Sequence, residues 1–245
     1  MPNPNHQSDH ALSGHALSGH ALSDLAGSFA FLIAAVGWVA LGLQLFLTIG
    51  LIEDRGGSLL DAVWRYVGYF TILTNIAVVG TMTLVAANRW PGGTDSSPSF
   101  LSGVTFAIVI VGVVYHVLLS GLAPDMAWAS WVTDRLLHYV TPAMTVLFWI
   151  AFVPKHGLTM RDPFLWMTYP IVYLVYALIR GAADGWYAYY FFDVSVLGYG
   201  RALINASGVS AILLGFGLAV VALSRAVSRR RAAPARQVDR PRTRG

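Results

Sequence analysis

The sequence has no cysteine, a single lysine among its 16 basic residues, and only 11% charged residues of either sign. The lack of cysteine excludes disulfides, thiolate nucleophiles and cysteine-ligated metals. The scarcity of charge argues against a soluble domain, where roughly a quarter of residues are charged. Two motifs are also absent. No Gly-x-Ser-x-Gly elbow and no His-Glu-x-x-His pair occurs, so the standard serine-hydrolase and zinc-protease readings have no support. No basic segment precedes the first apolar run, so a cleaved signal peptide is not expected.

What the chain does have is apolar length. Of its 245 residues, 56% are hydrophobic, and the mean hydropathy is +0.60. Six apolar runs lie at about 28–50, 65–87, 100–122, 137–153, 163–179 and 202–223. Each approaches the ~20 residues that a membrane-spanning helix needs. The expected fold is therefore all-α, a polytopic bundle of six transmembrane helices over residues 25–226. It is flanked by a polar tail at 1–24 and an arginine-rich tail at 227–245. The first tail carries a tandem repeat, HALSG, HALSG, HALSD, with histidines at His10, His15 and His20. It reads as low-complexity disorder, with weak metal binding by the spaced histidines as the alternative. No metal site and no cofactor are expected.

Basic residues set the expected orientation. With six spans, Arg89, Lys155, Arg161 and the eight arginines from Arg225 onward share a side. Arg55, Arg65, Arg135, Arg180 and Arg201 lie on the other. Both termini are thus expected in the cytoplasm, with the arginine tail able to lie on anionic headgroups.

Polar residues inside the runs are the main functional signal, because side chains there normally face a bundle interior or a water-filled cavity. In Tyr69-Phe70-Thr71-Ile72-Leu73-Thr74-Asn75, the spacing of Thr71, Thr74 and Asn75 puts all three on one helical face. His138, Thr141 and Thr145 make a similar face in the fourth run. His116 and Ser120 sit one turn apart in the third. Arg180 and Asp184 have salt-bridge spacing at the end of the fifth, and Asn205 begins the sixth. All fall in the outer half of the bundle, with little comparable on the cytoplasmic side, which predicts one shared outward-facing pocket. A long aromatic loop, from Asp184 through Trp186, Tyr187, Tyr189, Tyr190, Phe191 and Phe192 to Asp193, reads either as an interfacial belt or as a lid on that pocket.

A threonine hydroxyl becomes a useful nucleophile when a neighbouring base takes its proton, and His138 has a suitable intrinsic pKa. Thr71 or Thr74 would attack, and Asn75 or Thr74 would donate to the developing oxyanion. The second ring nitrogen of His138 would be oriented by Asn75, Tyr139, His116 or Asp184.

The segments at 69–75 and 136–142, and Arg180-Gly181 with Tyr189 to Asp193, together resemble the prokaryotic six-transmembrane membrane protein family, over roughly residues 28–225. Those bacterial proteins are similar to the androgen-induced membrane hydrolases of animals, which cleave fatty-acid esters of hydroxy fatty acids. The resemblance implies a multi-pass protein of the bacterial inner (plasma) membrane, with Thr71 matching the threonine nucleophile and His138 the histidine. It implies membrane lipids and a hydrophobic ester or acyl ligand as partners; no nucleic acid is expected. The alternative is a membrane protein that binds lipid or a small ligand without turnover. Transport fits less well: no repeat relates the two halves, and the polar cluster lies off the midplane.

Overall fold

A computed structural model describes the backbone of residues 5–87, 98–121 and 126–232, and the side chains of those residues from 21 to 227. Every regular element among the described residues is helical. Five helices are long and apolar enough to cross a membrane, or six if one sharply bent pair is a single span. The chain is thus a multi-pass helical bundle of the type that membranes require, with backbone polar groups satisfied within each segment.

α1 spans Asn5–Glu53. Its backbone is helical through the HALSG repeat. Alanine and leucine in each repeat favour extension of the membrane helix that follows. The repeat's histidine side chains, the loop at 90–97 and the tail beyond 232 lie outside the described residues. α2 (Leu59–Tyr66) opens on a capping box between Ser58 and Asp61. It buries Ala62 and Tyr66 and exposes Leu59, Leu60, Val63 and Trp64.

α3 (Phe70–Ala86) follows α2 at an 80° bend, which corrects the single run expected over 65–87. The bend is held from outside. Tyr173 donates to the Gly68 carbonyl at 2.9 Å and Tyr176 to the Val67 carbonyl at 3.2 Å. Gly68 is pressed so closely that a Cβ there would lie 2.3 Å from the Arg180 guanidinium and 2.6 Å from the Trp186 ring. The bend moves Thr71 from mid-helix to the first turn of α3.

α4 (Pro98–Val114) runs on into a π-turn, Tyr115–Leu119. α5 (Trp128–Arg135), a second π-turn (Leu136–Val140) and α6 (Thr141–Phe152) form one continuous span that starts nine residues before the expected 137. This π-turn has a local cause. Pro142 has no N–H for the His138 carbonyl four residues earlier, and its ring crowds that carbonyl. The helix absorbs the defect with a wider turn, closed by Thr141 N–H to Leu136. The freed His138 carbonyl faces Gly112, where a Cβ would stand 3.2 Å away.

α7 (Asp162–Trp166) and α8 (Thr168–Asp184) form the next span, and α9 (Val194–Ala232) the last. α9 is kinked at Gly198, whose φ of 72° a side chain would disfavour. α3 packs between α1 and α4, with α6 closing the centre. The largest buried side chains there include Phe148, Ile33, Met82, Leu101 and Ile108.

Candidate active site

Most helical threonines in this chain bond back to their own helix. Thr48, Thr81, Thr83, Thr105, Thr133 and Thr145 each donate to the carbonyl four residues earlier, the usual fate of a membrane threonine. Thr71 does not. Its carbonyl at i−4 belongs to Val67, which lies beyond the bend and receives Tyr176. The Thr71 hydroxyl instead lies 3.3 Å from His138 Nε2.

The other face of the imidazole determines which nitrogen carries the proton. His138 Nδ1 is 3.0 Å from Asp134 Oδ1 and 3.0 Å from the Asp134 carbonyl. Both are acceptors, so the Nδ1 hydrogen points at them. In the neutral ring that leaves a bare Nε2 facing the Thr71 hydroxyl. Tyr115 completes the group. Its ring stacks on His138 with centroids 3.9 Å apart, and its hydroxyl donates to Asp134 Oδ2 at 2.6 Å. The sequence is therefore Tyr115, Asp134, His138, Thr71, each hydrogen-bonded to its neighbour along the Asp134–His138–Thr71 line.

Asp134 replaces all four of the orienting partners expected for His138. The shape of the fourth span explains why. Asp134 is four residues before His138 on a helix that begins at Trp128, whereas the sequence placed it in a loop before 137. Asn75 points its amide at carbonyls, donating to Thr71 at 2.8 Å and Leu137 at 3.4 Å. It is thus committed to tying α3 to the π-turn rather than to an oxyanion. His116 is exposed and pairs with Tyr139 at 3.2 Å. Thr141 is fully buried on the same face as Thr145. Thr74 is fully buried and shares a hydrogen bond of 2.9 Å with Tyr169. Arg180 and Asp184 pair at 3.3 Å as their spacing predicted. They pack against Trp64 and Trp186 instead of the dyad. Asn205 donates to the Phe191 carbonyl at 3.0 Å.

That last bond fastens the aromatic loop over the site. Trp186 meets Tyr69 edge-on at 5.3 Å and holds Arg65 over its ring at 4.0 Å. Tyr189 packs on Tyr69 and Tyr173. Burial pushes the Tyr189 phenol above its ordinary pKa, and the Thr71 hydroxyl and the backbone amides of Thr71 and Phe70 act against that shift. Tyr189 and Thr71 line one cavity at the start of α3, where no side chain caps the helix and the first N–H groups lack intrahelical partners.

Two cavities border this group. One, about 540 Å³ with its open mouth, is almost wholly apolar and is lined by Phe70, Thr71, Val114, Tyr173, Tyr189 and Phe191 among others. The second is more polar, lined by Gln44, Thr48, Glu53, Ser130 and Asp134. Tyr115 lines both. Among the described residues, no cluster of three or more His, Asp or Glu side chains is spaced to hold a metal ion.

The opposite end of the bundle is more polar than the sequence suggested. Asp162, 6% exposed, accepts from Ser99 Oγ at 2.5 Å and from the Thr159 amide and hydroxyl. Lys155 caps the Trp149 and Ile150 carbonyls at the end of α6. Compared with known proteins, the chain matches no family model, no curated protein and no solved structure.

Proposed function

We propose that this chain is a membrane hydrolase that cleaves a lipid ester, with Thr71 as nucleophile, His138 as general base and Asp134 as the residue that orients and charge-stabilises the imidazole. The observation that carries this reading is the 3.3 Å contact between the Thr71 hydroxyl and a His138 Nε2 whose proton is drawn to the far nitrogen. The arrangement follows the logic of a serine triad, which is recognised by geometry and not by chain order. Thr71 is favoured over Thr74, whose hydroxyl is engaged by Tyr169.

In the reaction, His138 Nε2 takes the Thr71 proton as Oγ1 attacks the ester carbonyl carbon. The carbonyl electrons move to its oxygen, beside the Tyr189 hydroxyl and the first amides of α3. As the carbonyl re-forms, the C–O bond to the alcohol breaks, and His138 returns the proton to the departing alkoxide. Water, reaching the site from the polar groove past Asp134, then releases the acid by the same two transfers. The apolar cavity takes the acyl chain, and the aromatic loop keeps bulk water off the acyl-enzyme.

The resemblance to the prokaryotic six-transmembrane family and to the animal threonine hydrolases points the same way. The arginine asymmetry supports an orientation with both termini in the cytoplasm and the site at the outer leaflet of a bacterial plasma membrane. A periplasm-active reporter fused after residue 245 or within 90–98 should be silent in both positions; activity in either overturns that orientation.

Labelling of the detergent-purified protein by a fluorophosphonate probe, together with hydrolysis of a nitrophenyl acyl ester, tests the chemistry. Both should be lost in Thr71→Ala while the protein stays folded. Neither labelling nor turnover in the wild type, with acyl lipid still bound, would return the site to a binding role without chemistry.

A further inference from the structure

The apolar cavity at Thr71 does not end the cleft that it occupies. A second and larger cavity, about 1630 Å³ with its open mouth, is lined by the same three helices and reaches deeper along α3 and α4. On α3 the first cavity is lined by Phe70 and Thr71, and the second by Thr74 and Ala77. On α8 the first takes Pro170, Tyr173 and Leu174, and the second takes Thr168, Tyr169 and Val172. On α4 the first takes Ile110, Val111 and Val114, and the second takes Gly103, Val104 and Ala107. On α3 and α4 the second set lies one to two turns deeper, and on α8 the two sets interleave, so the two spaces adjoin on the same three helices.

What lies between them is a small partition. The Thr74 and Tyr169 hydroxyls meet at 2.9 Å, and the Tyr169 ring packs on Phe70 with centroids 5.1 Å apart. The bond gives each hydroxyl a partner, so neither faces hydrocarbon without one. Thr74 makes this cross-cleft bond in place of the return bond to its own helix seen at six other threonines, and it does so at the level of the partition.

We propose that the Thr74–Tyr169 pair is a chain-length stop: it ends the acyl site at the Thr71 cavity and keeps the second cavity out of use. The occupant of the cleft is the fatty-acyl chain of the substrate, because the space begins at the nucleophile and its first stretch is almost wholly apolar. This assignment rests on the proposed lipid-ester hydrolase. Tyr169 is a specificity-determining residue on this view and does not touch the reacting atoms.

The test uses full-length protein and a series of nitrophenyl esters from four to sixteen carbons. Wild-type kcat/KM should rise by about fourfold per methylene, the transfer value for a buried CH2, and stop rising where the chain fills the first cavity. Tyr169→Ala joins the two spaces and should carry the rise on to longer chains. Tyr169→Phe, which keeps the ring and loses the bond, should move the limit by less. If Tyr169→Ala does not fold, Tyr169→Leu opens the same gap with more of the packing retained. The second readout is independent of chemistry: binding of free fatty acids of graded length, by native mass spectrometry, in the Thr71→Ala background with and without the Tyr169 change. A binding limit that moves with Tyr169, with no ester turnover in any variant, upholds the stop and sinks the hydrolase. Identical length profiles in wild type and in a folded Tyr169 variant, by both readouts, overturn the stop.

Discussion

Each end of the bundle holds a partly or fully enclosed aspartate, and the two are used in opposite ways. Asp162 gathers donors from Ser99 and Thr159 at the start of α7. Its acceptors are consumed locally, by groups that do nothing further. Asp134 accepts from Tyr115 and from His138, and the other nitrogen of the imidazole faces a hydroxyl at the wall of a cavity. A buried carboxylate with saturated neighbours is a structural fastener. The same group behind an imidazole, with a hydroxyl at a cavity wall beyond it, is the arrangement that the proposed proton transfer requires. The difference lies in whether the chain of hydrogen bonds terminates in the protein or at a space that a substrate can enter.

The largest effects should come from breaking the Asp134 line. His138→Ala and Thr71→Ala should each lower ester hydrolysis by about 10³-fold or more, and the double variant should lose little beyond either one, because residues acting as a unit are non-additive. Asp134→Asn should cost about 10²–10⁴-fold in kcat, since an amide can present N–H to Nδ1 and invert the tautomer. Its thermal stability should change far less than its rate. Asp162→Asn should do the reverse. Loss of charge-assisted hydrogen bonds to a buried group should cost about 1.5–3 kcal/mol of stability, read as a lower unfolding temperature in detergent, with kcat of the surviving folded protein near that of the wild type. Equal losses of rate in both variants would erase the distinction.

Tyr189→Phe comes next. If its hydroxyl faces the developing oxyanion, its removal should lower kcat by about 10²-fold with KM little changed, the usual cost of one such donor. A change confined to KM would assign Tyr189 to the cavity wall alone.

Part of this was legible in the sequence. The apolar runs mark the helices because each must hide its backbone from lipid. The spacing of Thr71 and His138 put both on inward faces. The salt bridge from Arg180 to Asp184 follows from their separation on a continuing helix. What was not legible depended on helix ends. Trp128, Ser130, Thr133, Asp134 and Arg135 lower the hydropathy of the fourth span's first turns, so Asp134 looked like loop and was missed. Gly68 was the one local sign of the 80° bend; its cause, the tyrosines of α8, is more than a hundred residues away. Tyr189 was read only as part of an aromatic loop, because its approach to Thr71 is made by the tertiary fold. Pro142 was visible, but the π-turn that it forces at His138 needed the helix around it.

The smallest effect tests how firmly the loop belongs to the Asp134 end. Asn205 holds the Phe191 carbonyl at 3.0 Å, and Phe191 and Phe192 line the Thr71 cavity. Asn205→Ala removes one hydrogen bond at a half-buried position and should cost about 0.5–1.5 kcal/mol, too little to unfold the bundle. Its local consequence should be larger than its global one. With the carbonyl released, the segment from Trp186 to Phe192 should exchange its amide hydrogens faster, while α3 and α6 keep their protection. If the loop shields the acyl-enzyme, kcat should fall by a few-fold and no more. Faster exchange spread evenly over the whole chain would show that Asn205 stabilises the fold in general, and the loop would then lose its claim to be a cover for this site.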